Sequence, residues 1–175
     1  MNFLSKLTTL CVVGAFLLNL GACSGGPKGE FTEKTAFIDS LIATMSLEAK
    51  VGEMTQLTLG TILQKENNTI IEPQHLDSSR AMQALVDYQV GSILNCGNHA
   101  HSPEKWHEFI TGIQEHAAHK ASGIPVLYGV DAIHGPTYTA EAVLGPQQIG
   151  LAATWNESLV RKNAAATAEQ VAACG

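Results

Sequence analysis

A surplus of positive charge is absent from this sequence: sixteen Asp and Glu outnumber ten Lys and Arg, for a formal charge of −6. Such a balance builds no basic surface able to neutralise a phosphate backbone, so nucleic acid is excluded as an expected partner. Cysteine is scarce as well. Of the four, Cys11 lies inside an N-terminal leader and Cys23 at its end, which leaves Cys96 and Cys174. One distant pair makes no disulfide framework; an oxidising compartment would permit a bond, but two buried free thiols is the simpler expectation. A membrane-spanning run is missing too. Leu7 to Leu20 is predominantly apolar and uncharged, then gives way at once to the small residues Gly21, Ala22, Cys23, Ser24, Gly25 and Gly26, whereas a spanning helix needs about 20 apolar residues.

With Lys6 ahead of it, that run reads as a signal peptide covering residues 1–22. Leu20, Gly21, Ala22 and Cys23 resemble a bacterial lipobox, which implies cleavage before Cys23 and diacylation of its thiol. Loss of Lys6 then takes the formal charge from −6 to −7. Two or three acyl chains, each contributing about 0.8 kcal/mol per buried methylene, suffice for stable anchoring. The expected location is the bacterial cell envelope, periplasmic or associated with the outer membrane, with a tether over residues 23–34. From Ser24 to Glu30 that tether contains Gly, Pro and Lys and has no hydrophobic pattern. An ordinary secretory signal with an incidental cysteine is the alternative.

Residues 35–175 carry the folded pattern. Phe37, Ile38, Leu41, Ile42 and Met45 recur at helical spacing, and Ser46 stands where an N-cap would, ahead of Leu47, Val51 and Met54. The polar stretch Gln64 to Gln74 predicts a loop, and Ser78 to Tyr88 a helix with Met82, Leu85 and Val86 inward. Ser102 and Pro103 form a strong helix opening, followed by Trp106, Phe109, Ile110, Ile113 and Ala117. Short apolar runs at Val90 to Leu94 and Ile124 to Val130 predict buried strands, with a third near Gln56 to Ile62. A last helix opens at Asn156 and carries Val160, Ala164, Ala168 and Val171 inward. Strands without period-2 alternation, separated by helices, indicate an α/β fold with a parallel sheet covered on both faces. Three strands are too few for a closed eight-stranded barrel, which takes about 250 residues, so the chain is expected to be a fragment.

Among residues able to carry chemistry, Asp131 leads. It ends the run Gly123 to Val130, just before a turn through His134, Gly135 and Pro136, and the C-terminal ends of parallel strands are where barrel active sites are built. A carboxylate there can accept two charge-assisted hydrogen bonds from adjacent sugar hydroxyls; a helix cap or turn former is the other reading of the same position. His134 and Tyr138 are further candidates for lining a pocket. His99, His101, His116 and His119, with Glu115 nearby, make a metal site conceivable. Polar loop and solvated helix face account for them more simply, and neither metal nor cofactor is expected. The glycosylation-type triplets at Asn67 and Asn156 read as incidental beside a lipobox, and Asn156 suits a helix cap.

Four stretches, Leu41 to Leu57 (LIATMSLEAKVGEMTQL), Gly129 to Gly135 (GVDAIHG), Pro146 to Asn156 (PQQIGLAATWN) and Ala164 to Gly175 (AAATAEQVAACG), occur in the order that resembles the opening of glycoside hydrolase family 3. The resemblance runs from about Phe37 to Gly175. It implies a TIM-like barrel, present here only in its N-terminal portion, with an α/β sandwich as a second domain of the full-length protein. It also implies a retaining mechanism, with an aspartate nucleophile and an acid/base carboxylate that both lie beyond this chain, so the 175 residues alone are expected to be inactive. Asp131 matches the family's aspartate that holds non-reacting hydroxyls of the sugar in the first subsite. DAIHG in place of a DQEGG-like sequence favours an exo-acting β-glucosidase or exo-glucanase over an N-acetylglucosaminidase. A β-xylosidase or other family 3 exo-glycosidase is a lesser possibility, and a non-catalytic sugar-binding envelope lipoprotein is the alternative from another class. The expected substrate is a β-linked oligosaccharide or glucoside. One departure stands out: EAVLGP at Glu141 to Pro146, where relatives read more like GATLFP, puts Gly145 in place of a bulky apolar residue.

Overall fold

A computed structural model describes residues 32–175 apart from Asn98. The leader, Cys23 and the tether as far as Phe31 lie outside the described residues. The chain divides after Thr44 into two units. In the first, helix α1 spans Thr32–Thr44, opening three residues before the predicted start at Thr35.

The second unit begins with α2 (Leu47–Glu53), capped as predicted by Ser46, whose hydroxyl accepts from Ala49 N at 3.1 Å. Its buried residues are Ala49 and Gly52, while Leu47, Val51 and Met54 stay exposed. Strand β1 (Gln56–Thr58) follows and passes into a 3₁₀ turn, Leu59–Thr61, so the third predicted strand is confined to its first three residues. The segment read as a loop contains a small hairpin, β2 (Lys65–Glu66) and β3 (Thr69–Ile70). Its two-residue turn, Asn67 and Asn68, has φ +49° and +65°, the left-handed pair that a tight hairpin demands and asparagine tolerates. Alternation of only two residues on each side is too short a signal to read in sequence.

Helix α3 (Ser78–Met82) starts from Asp77, whose carboxylate accepts from Arg80 N at 3.0 Å, and widens into a π turn over Gln83–Asp87. The widened turn is closed by Tyr88 N donating to Gln83 O at 3.0 Å. The inward face runs through Ala81, Ala84 and Leu85, spaced i, i+3 and i+4, and Met82, expected inside, lies about 100° round the helix from Ala81 and is exposed. Strand β4 (Ser92–Leu94) and strand β5 (Leu127–Gly129) are shorter than the apolar runs that announced them. Between them lies α4 (Pro103–Ala117), with Ser102 as cap and Trp106, Phe109, Ile113 and Ala117 buried, as its spacing predicts. The chain closes with α5 (Gln148–Ala153) and α6 (Glu157–Ala172), the latter capped by Asn156 through Leu159 N at 3.0 Å.

β1, β4 and β5 form one parallel sheet in that order, with Ile93 opposite both Leu57 and Tyr128. Ile93, Leu59, Ile62, Leu63, Leu85, Phe109 and Ile113 are fully buried in a single cluster, and each such side chain contributes roughly 1.5–3 kcal/mol relative to exposure. Helix α6 departs from expectation: none of its residues is buried, and Val160, Ala164, Ala168 and Val171 line an open groove of about 690 Å³ shared with Val130, Ile133 and Leu151. The helical period was legible, but a period cannot say what covers the face it defines. Cys96 and Cys174 are both free and buried, as expected.

The two ends of the sheet are held differently. At the N-terminal end, Lys120 is fully enclosed; its ammonium meets Glu53 Oε1 at 2.6 Å and donates to Val90 O at 3.3 Å, while Ser122 Oγ donates to the same Glu53 oxygen at 2.8 Å. Gly91 N donates to Gly52 O at 3.0 Å, so α2 lies directly on the chain entering β4. The C-terminal end is left to a polar cluster.

Candidate sugar-binding corner

Parallel strands deliver their C-terminal ends to one edge, which brings Asn95, directly after β4, beside Asp131, two residues after β5. Asn95 N donates to Gly129 O at 2.9 Å and extends the pairing by one step. The chain then turns at Asn95 itself, whose φ of +48° is a left-handed conformation that asparagine accepts more readily than most residues. From that turn the side-chain amide reaches across the edge: Nδ2 donates to Asp131 Oδ2 at 2.8 Å, and Oδ1 accepts from Asp131 N at 2.9 Å. The Tyr128 hydroxyl donates to Asn95 O at 2.8 Å. Burial pushes the Tyr128 pKa far above the ordinary phenol range, helped by Cys96 nearby, so this hydroxyl keeps its proton and remains a donor.

The result is an exposed carboxylate on a braced backbone. Oδ2 is the oxygen engaged by protein among the described residues, which leaves Oδ1 to accept from a ligand. Val130 and Ala132, on either side of Asp131, line the 690 Å³ groove, whereas Asp131 is not among its wall residues. The apolar groove and the polar corner are therefore distinct features.

The loop beyond Asp131 is anchored at several points. Tyr138 O accepts from Trp106 Nε1 and from His101 N, each at 2.9 Å, and Ala140 N donates to His101 O at 2.8 Å. The Tyr138 side chain is half-buried against the hydrophobic core. His134 is half-buried, and its carbonyl accepts from Gly145 N. Gly135 adopts φ +105°, and a Cβ there would lie 2.7 Å from Val143 O, so the motif needs glycine on both counts. The departure at Gly145 also has a local counterpart: a Cβ at that position would meet the end of the Asn163 side chain, which would have to turn aside.

His101 is a participant that sequence reading assigned to a solvated loop. Its ring packs edge-on against Trp106 and Phe109, with centroids 5.5 and 5.2 Å away, and stacks on His99 at 6.0 Å. His99 in turn pairs with Glu72 at 3.4 Å. His101 Nε2 is buried without a hydrogen-bond partner among the described residues, and burial first, then the electrostatic influence of His99 and Lys105, holds its pKa below the usual 6.5, with Glu72 acting in the other direction. Because the folded-state value is the lower one, the contribution of neutral His101 is present above the unfolded pKa near 6.5 and is lost as pH falls through the folded value. Thermal unfolding measured from pH 7 to pH 5 is expected to show a falling midpoint, and His101→Phe is expected to flatten that slope. An unaltered slope would assign the acid sensitivity elsewhere. The pKa of the Cys96 thiol, which donates to His99 O at 2.9 Å, is pushed up to about 11 by burial, which disfavours the thiolate.

A family model, "Glycosyl hydrolase family 3 N terminal domain", matches residues 46–175. The chain belongs to glycosyl hydrolase family 3. Among family 3 relatives, a lysosomal beta glucosidase of Dictyostelium discoideum is 32% identical over 151 residues, which is 81% of this chain and 18% of that protein. Among solved structures, the exo-1,3/1,4-beta-glucanase ExoP from a Pseudoalteromonas species superimposes with a TM-score of 0.62 at 29% identity, covering 79% of this chain and 16% of that one. A glutamine-to-alanine variant of the same glucanase gives the same TM-score and identity over 21% of its chain. This chain thus spans about a fifth of the length of the family 3 proteins it matches. The mixed α/β fold and the family agree with the sequence reading.

Proposed function

We propose that this chain contributes the sugar-holding corner of a retaining, exo-acting β-glucosidase, with Asp131 accepting hydrogen bonds from hydroxyls of the terminal glucosyl unit. The observation that carries the reading is the Asp131 carboxylate itself: exposed, at the C-terminal edge of a parallel sheet, with one oxygen braced by Asn95 and the other left to a ligand. Binding at hydroxyls away from the scissile bond positions the sugar and can be used to stabilise the transition state. The names of the matched relatives, a beta glucosidase and an exo-1,3/1,4-beta-glucanase, support β-linked glucose over other sugars. Retaining hydrolysis needs two carboxylates about 5 Å apart across the glycosidic bond. The corner formed by Asn95 and Asp131 offers one, so nucleophile and acid/base are assigned to the rest of a TIM-like barrel and a following α/β sandwich domain. His134 and Tyr138 are lesser candidates for sugar contact. The lipobox-like sequence ending at Cys23 supports a lipid-anchored protein of a bacterial envelope, acting on short β-glucosides in the periplasm or at the outer membrane.

Titration of the 175-residue chain with methyl β-D-glucoside, followed by amide chemical shifts, tests the binding role. Saturable shifts at Asp131 and Asn95 are expected. Asp131→Asn, which keeps the shape and removes the charge, is expected to weaken binding about 100-fold, because two charge-assisted hydrogen bonds at about 1.5 kcal/mol each are lost or reduced to neutral ones. Equal binding by the variant would remove Asp131 from the site. Substrate class is tested separately: the product of the complete reading frame is expected to cleave an aryl β-glucoside in preference to an aryl β-xyloside. The reverse preference would favour a xylosidase, and binding without cleavage a sugar-binding lipoprotein.

A further inference from the structure

We propose that Asn95 is the positioning residue of this site, aiming the Asp131 carboxylate by holding Oδ2 and leaving Oδ1 as the oxygen presented to the sugar; the inference rests on the sugar-binding reading of Asp131. Several independent contacts converge on it. The amide forms a two-point clasp on one residue, donating to the Asp131 carboxylate at 2.8 Å and accepting from the Asp131 backbone N at 2.9 Å. A carboxylate side chain has two torsions, and a hydrogen bond to one oxygen, combined with a second that fixes the backbone carrying it, removes most of that freedom before a ligand arrives. Ordering a side chain in advance reduces the entropy lost on binding. Asn95 is itself held at three further points: its N by Gly129 O, its carbonyl by the Tyr128 hydroxyl, and its φ of +48° by the turn that ends β4. Tyr128 is fixed in turn, edge-on to Trp106 at 5.6 Å. A line of contacts therefore runs from the core through Tyr128 and Asn95 to the carboxylate, without Asn95 needing to touch the sugar.

Chemistry separates this role from a merely structural one. Replacing the amide by a carboxylate, Asn95→Asp, keeps the acceptor for Asp131 N but loses the donor to Oδ2 and sets two carboxylates within hydrogen-bond distance. Such a pair binds one proton tightly, and the shared proton restores a donor to Oδ2 once the pH is low enough. Acidification should therefore rescue Asn95→Asp, which no general loosening of the fold would do.

The test is the affinity of the 175-residue chain for methyl β-D-glucoside between pH 5 and pH 8, with an unfolding transition recorded for each variant. The unaltered chain is expected to bind with little pH dependence. Asn95→Ala should bind about tenfold more weakly at every pH, and Tyr128→Phe should show a smaller loss in the same direction. Asn95→Asp should be weakened at least tenfold at pH 8 and recover most of its affinity at pH 5. If the unaltered chain binds while Asn95→Ala matches it, or Asn95→Asp shows no recovery on acidification, the positioning role is overturned and Asp131 binding stands. Absence of saturable binding by the unaltered chain would overturn the sugar-binding reading together with this inference. Should Asn95→Ala fail to unfold cooperatively, the pH profile of Asn95→Asp decides alone.

Discussion

Glu53→Leu is expected to destabilise the second unit by about 3–5 kcal/mol, because it leaves the Lys120 ammonium enclosed with no counter-charge. The Lys120 side chain has no solvent exposure and Glu53 only 14%, so water cannot replace the lost partner. The Val90 carbonyl at 3.3 Å would remain as an acceptor, and the hydroxyl of Ser122 would lose its own. Lys120→Met should also destabilise, since it strands a largely buried carboxylate. The informative measurement is the urea midpoint of Glu53→Leu/Lys120→Met beside those of the two single variants. Replacing a buried ion pair by apolar side chains of similar volume is often neutral or stabilising, so the double variant should recover most of the loss. Additive losses would show instead that the pair is worth more than its desolvation costs. Both residues stand at the N-terminal end of the sheet, away from Asp131, and sugar affinity should be unchanged wherever the variant is folded.

The second large effect is expected from a single methyl group. Gly91→Ala would place Cβ 2.1 Å from Glu53 O and 2.7 Å from Glu53 C, and backbone atoms cannot rotate out of the way as a side chain would. Either α2 or the entry to β4 must shift, breaking the Gly91 N to Gly52 O hydrogen bond that joins them or the Leu127 N to Gly91 O bond that starts β5 pairing. Overpacking of this kind costs about 3 kcal/mol, which lowers the thermal midpoint by roughly 6–12 °C in a chain of this size. Gly150→Ala is the control. It lies within α5, a Cβ there meets nothing within 4 Å, and the gain in helix propensity should raise stability by about 0.5–1 kcal/mol. A harmless Gly91→Ala would mean that the contact between α2 and β4 is far looser than the geometry shows.

The secure readings were those in which a local rule has one outcome. Ser46, Ser102 and Asn156 cap their helices because a short polar oxygen before an apolar-periodic run satisfies a backbone N–H left over at the helix start. The face of α4 followed from its period, and the strand character of β4 and β5 from short apolar runs bounded by turn residues. Lengths were less legible: β5 pairs over three residues within a run of seven, since an apolar residue reads the same whether it pairs or only packs. Met82 was misplaced because the inward stripe of α3 runs through the small residues Ala81 and Ala84 to Leu85, and a reading that follows the larger apolar side chains falls one residue to the side of it. The buried Lys120 and the half-buried His101 had no sequence signal, being set by contacts with residues 67 positions away in one case and by two aromatic rings in the other.

For the site, sequence alone determined that a carboxylate would stand at a strand end. Asp131 follows an apolar run and precedes a turn, and backbone chemistry leaves few other outcomes. Family membership was equally readable, because four motifs in order carry more information than any one of them. What only the tertiary structure decided is the partner of that carboxylate. Asn95 lies 36 residues before Asp131 and in sequence is one more polar residue after a strand. Parallel pairing of β4 and β5, in the register that sets Leu94 opposite Gly129, carries the next residue of the first strand alongside the loop that leaves the second. Register between strands is set by long-range packing of Ile93, Val126 and the face of α4, and no window of neighbouring residues contains it.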